Sequence, residues 1–359
     1  MLNCSNTHNE ISIMQKLTIQ APDDWHLHFR DGSMLIETVA ATSRCFRRAI
    51  VMPNLTPPIT DAAMAGEYKK RILEAVPNQH SFDPLMTLYL TNLTTSQTII
   101  DAKKEGILAV KYYPAGATTN SDAAVKKIES LYPVLQTMSE QKMILLIHGE
   151  VTEADVDIFD REQYFIDTIL DKIIHSFPDL KIVLEHITTK NAVDYINQAN
   201  DNLAATITPQ HLMLNRNDLL VGGIKPHNYC LPILKRNIHQ QALQQAVMNG
   251  SKKFFLGTDS APHEQDKKES ACGCAGCYSA WSAIELYAQI FDELGIIDKL
   301  ENFASRYGAD FYGLPYNNST ITLVKETWQV PKQIMLPNGH KIVPFFAGKD
   351  LSWKLNDNE

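Results

Sequence analysis

Eight short apolar runs, separated by stretches of helical period, constrain this chain more than any other feature. The runs are Asp24–His28, Arg48–Met52, Pro84–Leu90, Leu108–Tyr112, Met143–His148, Lys181–Leu184, Leu203–Ile207 and Phe254–Leu256. Between them, Asp61–Glu74, Thr94–Glu105, Asp122–Gln141, Arg161–Ser176, Thr189–Ala199 and Leu231–Met248 read as helices, with Asp61 and Asp122 as caps. Strands alternating with helices in this number predict an α/β fold, a (β/α)8 TIM barrel rather than an open sheet. Residues 1–15 read as a flexible N-terminal segment and 16–315 as the barrel. Residues 316–359 read as a short C-terminal extension packed on it, with strands at Ile321–Val324 and Ile342–Phe346.

The chain has 359 residues and a net charge of −8, which argues against nonspecific nucleic-acid binding because that needs a basic surface. A small anionic substrate stays compatible, since a local cluster of metal and arginine can dominate one pocket. Residues Met1–Gln15 lack the apolar core of a signal peptide, and Met14 is an alternative start. No run approaches the ~20 apolar residues of a membrane helix. A soluble, cytoplasmic protein is expected. Six cysteines in so long a chain form no disulfide framework. Cys272, Cys274 and Cys277 have the look of a zinc knuckle but lack an obvious fourth ligand, so a tight glycine-rich loop presenting backbone groups is the favoured reading.

Active sites of such barrels lie at the C-terminal ends of the strands. His28, Asn54, Lys111, His148, His186 and Asp259 all fall there. His26 and His28 are one residue apart, so on a strand their imidazoles share a face. With Asp259 they suit one zinc ion, while His148 and His186 suit a second. Two nearby cations need an anionic bridge. Lys111 is the natural candidate: a free ammonium beside two cations is unfavourable, whereas its carbamate offers one oxygen to each ion. Arg30, two residues past His28 on the same expected face, can grip a carboxylate bidentately.

These residues sit in motifs that carry a family resemblance. They are Pro22-Asp23-Asp24-Trp25-His26-Leu27-His28-Phe29-Arg30, Met52-Pro53-Asn54, Lys111-Tyr112-Tyr113-Pro114, His148-Gly149-Glu150, Glu185-His186-Ile187-Thr188, Tyr229-Cys230-Leu231-Pro232 and Gly257-Thr258-Asp259-Ser260-Ala261-Pro262-His263, followed by the cysteine-rich loop. From about Leu17 to about Pro315 the chain resembles the dihydroorotases of the amidohydrolase superfamily, in their shorter bacterial-type class. The resemblance implies zinc-dependent, reversible cyclisation of N-carbamoyl-L-aspartate to L-dihydroorotate in pyrimidine synthesis. It implies His26, His28, Lys111 and Asp259 on one zinc, Lys111 (as N6-carboxylysine), His148 and His186 on the other, and Asp259 as proton shuttle. It further implies Arg30, Asn54 and His263 on the substrate carboxylate, backbone groups of Leu231 and Ala275 on the ring amides, and Thr118 and Thr119 in a mobile loop. A homodimer is the family expectation.

Two alternatives stay open at this stage. One is another cyclic amidohydrolase, such as a hydantoinase or allantoinase, which has no obvious need of the Arg30/Asn54/His263 clamp. The other is a catalytically dead scaffold for partner enzymes, although such relatives tend to lose ligands and this chain keeps all six positions.

Overall fold

Eight parallel strands run side by side in chain order: β2 (Asp23–Leu27), β3 (Arg48–Val51), β4 (Asp83–Tyr89), β5 (Ala109–Tyr112), β6 (Ile144–His148), β7 (Ile182–Glu185), β8 (Leu203–Ile207) and β9 (Phe254–Leu256). They come from a computed structural model that describes residues 15–117, 125 and 127–356. Just past β9 the ring closes: Leu27 pairs with Ser260, Asp259 N donates to His26 O at 2.8 Å, and His28 N donates to Ser260 O at 2.9 Å. The expected TIM barrel is therefore present.

Inward-pointing side chains fill the barrel, as such barrels require. Ile50, Ala109, Leu146, Val183, Ala204 and Phe255 form this inner cluster with Trp25, and Tyr312 stacks on Trp25 at 4.4 Å between ring centroids to close the floor. The larger cluster lies outside, between strands and helices. Trp25 belongs to the inner cluster and Leu27 to the outer, so strict alternation fails within β2. The register shift between Asp24 and Leu27 is the cause, because a local irregularity re-aims the side chains around it.

Helices occupy Ala62–Ala75 with Asp61 as cap, Ser96–Lys104 with Thr95 as cap, and Lys190–Gln198 with Thr189 as cap. The helix expected at Arg161–Ser176 is present and contains one wider turn at Ile166–Leu170. Three expectations need correction. The helix expected from Leu231 begins only at Asn237, since Pro232 lacks an N–H and disfavours helical backbone before it. The helix expected from Asp122 is described only from Ile128, and Asp122 itself lies outside the described residues. The strand expected at Ile342–Phe346 shrinks to Lys341–Ile342, because Pro344 cannot donate to a ladder. Helices at Ser33–Ser43, Ala283–Glu293 and Tyr307–Tyr312 had no counterpart among the expected elements.

The C-terminal extension folds back on the start of the chain. β10 (Thr320–Val324) pairs antiparallel with β1 (Lys16–Gln20), Lys16 opposite Val324 and Gln20 opposite Thr320.

Candidate active site

Four imidazoles stand in a row at the C-terminal mouth of the barrel. Ring centroids are 5.4 Å apart for His28 and His26, 4.9 Å for His26 and His186, and 4.7 Å for His186 and His148. Asp259 joins the first pair: its Oδ1 lies 3.3 Å from His26 Nε2 and 3.2 Å from His28 Nε2. The nitrogen and oxygen donors of His26, His28 and Asp259 all fall within 4.8 Å of one another, close enough to share one metal ion. Lys111 is fully buried on β5, with Nζ 5.1 Å from the centroid of the Tyr113 ring.

Several polar atoms here have no protein partner. His186 Nδ1 and Lys111 Nζ are buried and make no hydrogen bond, and His26 Nε2 has only its contact with Asp259. Buried polar groups are normally paired, so each orphan calls for an explanation. An ion held by these donors supplies one, and the donor set of imidazoles and a carboxylate suits zinc. Electrostatics agrees. Burial drives His28 down to about 4 and His186 well below an ordinary imidazole, leaving both rings neutral with lone pairs free. Burial likewise pushes Lys111 down to about 8, against the pull of Glu185 and Asp259. Asp259 is raised by burial, but its contacts with the His26 and His28 rings outweigh this and hold it well below the usual carboxylate range.

Each of three histidines is steered by a second polar group. Asn54 Oδ1 lies 2.7 Å from His28 Nδ1, Glu185 Oε2 lies 2.9 Å from His26 Nδ1, and Glu150 Oε2 lies 2.8 Å from His148 Nε2. Buried orienting acceptors of this kind fix ring rotation and tautomer. Glu185 is itself held by Thr206, whose Oγ1 donates to it at 2.6 Å and accepts from His186 N at 2.7 Å. Glu150, Glu185 and Thr206 received no role in the sequence reading. An acid two residues beyond a strand-end histidine, as in His148-Gly149-Glu150, is the signal that could have found one of them.

Backbone strain concentrates at the same mouth. Arg30, His186 and Asp259 have φ of 64°, 41° and 44°, in the left-handed region that side chains rarely adopt. For Arg30 this revises the expectation of a shared strand face with His28: β2 ends at Leu27, and Arg30 lies beyond it on a turn. The turn nonetheless brings Arg30 to His263. Arg30 Nη2 is 3.1 Å from His263 Nε2, and Arg30 Nε donates to Pro262 O at 3.3 Å. Burial lowers His263 to about 3, helped by the charges of Arg30 and Lys268, so this imidazole is neutral and Arg30 carries the positive charge.

The Leu231 and Ala275 loops meet beside this pair. Gly276 N donates to Tyr229 O at 2.9 Å, and the Lys268 ammonium donates to the carbonyls of Tyr229, Cys274 and Gly276. His263 Nε2 is also 3.0 Å from Ala275 O. The cysteine-rich segment is thus a loop organised through its carbonyls. Its three thiols belong to no metal-holding group among the described residues. Thr118 and Thr119 lie outside the described residues.

Comparison with known proteins places the chain in a family. The Amidohydrolase family profile matches residues 22–330. The chain is 68% identical over 342 residues to the dihydroorotase of Shewanella sediminis, covering 95% of this chain and 99% of that one. The crystal structure of dihydroorotase from Campylobacter jejuni superposes with a TM-score of 0.88 at 36% identity, covering 96% of this chain and 98% of the other. That of Saccharomyces cerevisiae dihydroorotase in complex with 5-fluoroorotic acid gives 0.87 at 33% identity, covering 95% and 98%.

Proposed function

The chain belongs to the amidohydrolase family and, within it, to the dihydroorotases, and on that premise we propose that it interconverts L-dihydroorotate and N-carbamoyl-L-aspartate at a two-zinc centre. The observation that carries this reading is the row of four histidines with Asp259 and an orphaned, buried Lys111. His26, His28 and Asp259 would hold one ion, His148 and His186 the other, and the carbamate of Lys111 both. A lysine depressed to about 8 has an appreciable neutral amine fraction near neutral pH, the form that can react with carbon dioxide. When bound, the ions polarise the reacting carbonyl and lower the pKa of water.

The chain's own residues then hold the substrate and move its proton. Arg30 takes the carboxylate by its guanidinium, with the neutral His263 as hydrogen-bonding partner. Asn54, its Oδ1 turned to His28, joins Arg30 and His263 at that carboxylate. Backbone groups of Leu231 and Ala275 take the ring amides. In hydrolysis one water adds across the ring amide, and Asp259 carries its proton to the nitrogen that leaves. In cyclisation Asp259 removes a proton from the ureido nitrogen, and water is lost. That the yeast dihydroorotase is described with 5-fluoroorotic acid supports a ring bearing a carboxylate as ligand.

No helix among the described residues is long and apolar enough to cross a membrane. A cytoplasmic homodimer acting on this small molecule completes the reading. Turnover of L-dihydroorotate should be strongly preferred over hydantoin and dihydrouracil, which lack the carboxylate. Equal turnover of all three would refute the clamp and favour a hydantoinase-like activity.

A further inference from the structure

Behind His148 and His186 lies a second layer of buried charge that touches neither the substrate clamp nor the proposed ions. Glu150 is 2% exposed; its Oε2 takes the His148 Nε2 bond, while its Oε1 has no hydrogen-bond partner. Glu162 is 1% exposed and accepts from the backbone N–H and the hydroxyl of both Thr188 and Thr189, just past His186. One carboxylate thus fixes the loop after His148, and the other fixes the loop after His186. Two such carboxylates left without a cation would be strongly unfavourable.

Lys235 supplies the leading cation here, with Arg161 a weaker second influence on Glu150. Lys235 is 3% exposed, donates to Ile233 O at 3.1 Å, and places Nζ 4.0 Å from the orphaned Glu150 Oε1. Burial raises Glu162, and the Lys235 charge is the leading influence that opposes it, which puts the ammonium within electrostatic reach of the second carboxylate. Lys235 also ends the loop that carries Leu231: its carbonyl accepts from Arg216 N at 2.8 Å, and Pro232 O lies 2.9 Å from His211 Nε2.

We propose that Lys235 is a positioning residue, whose buried ammonium beside Glu150 holds the His148 and His186 loops in the spacing that retains the second ion. This rests on the two-ion reading above. Without the cation, the buried Glu150 and Glu162 carboxylates lose the charge that offsets their desolvation, the two loops relax, and the ion between His148 and His186 loses retention. The ion at His26, His28 and Asp259 keeps its ligands, because that site is steered by Asn54 and Glu185 instead.

The test loads metal-free wild-type, Lys235→Met and Lys235→Arg proteins with zinc alone and follows release to a chelator, together with the melting of each metal-free form. Wild type and Lys235→Arg should release two ions slowly. Lys235→Met should release one of its two ions about tenfold faster or more, the other at the wild-type rate, from a protein that melts cooperatively. Wild-type release of both ions from Lys235→Met overturns the proposal, as does equal acceleration of both. Should Lys235→Met fail to fold, the charge-balanced Lys235→Met/Glu162→Gln variant takes its place. Selective loss of one ion then supports the proposal, and wild-type retention overturns it. A wild-type protein that binds a single ion contradicts the two-ion reading, and this proposal with it, before any variant is compared.

Discussion

Glu185 Oε2 stands 2.9 Å from Nδ1 of His26, so the strand that delivers His186 also sets the ring of a histidine on the other side of the barrel mouth. Glu185 and His186 are consecutive, yet both reach the site, because the backbone turns at His186 with φ of 41°. One dipeptide thus supplies a ligand to one proposed ion position and an orienting carboxylate to the other. Replacing Glu185 by Ala should weaken zinc affinity by about 10–100-fold, the usual cost of losing a buried partner of a metal-binding imidazole. Competition against a chelator of known affinity reads this directly. Unchanged affinity would show that His26 is oriented by other contacts.

Lys111 is buried without a hydrogen-bond partner, which fits a side chain awaiting modification better than a finished ion pair. Lys111→Ala should lose both metal and activity, with partial recovery when a short carboxylic acid is supplied in place of the carbamate. Native mass spectrometry of the wild type should show one labile carbon dioxide on this residue. A free amine in a fully active, metal-loaded protein would disprove the modification.

Asp259 has two jobs in this account, ligand and proton carrier. Asp259→Asn should keep substrate binding while kcat falls by the ~10²–10⁴-fold typical of general acid–base catalysis. Near-normal turnover, with metal content verified, would remove the proton-carrying role.

His263 is lowered to about 3, first by burial and then by the charges of Arg30 and Lys268. Substrate KM should therefore show no step from this residue between pH 5 and 8, a range set by the unperturbed imidazole pKa of about 6.5. The sign for stability follows from linkage. The unfolded ring binds a proton below about 6.5 that the folded ring refuses until about 3, so its contribution is present above that window and is lost as pH falls through it. A KM that climbs above pH 6.5 in wild type but not in His263→Asn would reveal a charged imidazole in the clamp.

Gly257 sits where β9 ends, and a Cβ there would lie 2.6 Å from Thr206 Cβ and 3.1 Å from His26 Cβ. Gly257→Ala should cost about 1–3 kcal/mol by overpacking and disturb metal retention as well. Denaturant unfolding of the metal-free protein, alongside zinc content, separates the two effects. Wild-type behaviour on both counts would mean the β8–β9 mouth is looser than its packing implies.

The sequence made the barrel legible because β-branched runs and helical spacing repeat in a fixed order, and Leu203–Ile207 and Phe254–Leu256 end where expected. The histidines, Lys111 and Asp259 were legible by residue type at strand ends. The β2 irregularity was not, because register depends on the neighbouring strand as well as on β2 itself. Nor were the turns at Arg30, His186 and Asp259, where tertiary contacts hold side chains in a backbone region they otherwise avoid. The helix at Ser33–Ser43 escaped notice because Gly32 gives it no side-chain cap and its Ile, Thr and Val residues blur the period. Glu162 and Lys235 were invisible as a pair, being far apart in sequence and joined only by burial.

Cyclisation of N-carbamoyl-L-aspartate by the purified protein, before chelation, after chelation and after zinc is restored, tests the central claim most directly. Dihydroorotate formation should disappear with the metal and return with two equivalents of zinc. Undiminished cyclisation by metal-free protein, or none by protein shown to hold two ions, would contradict it.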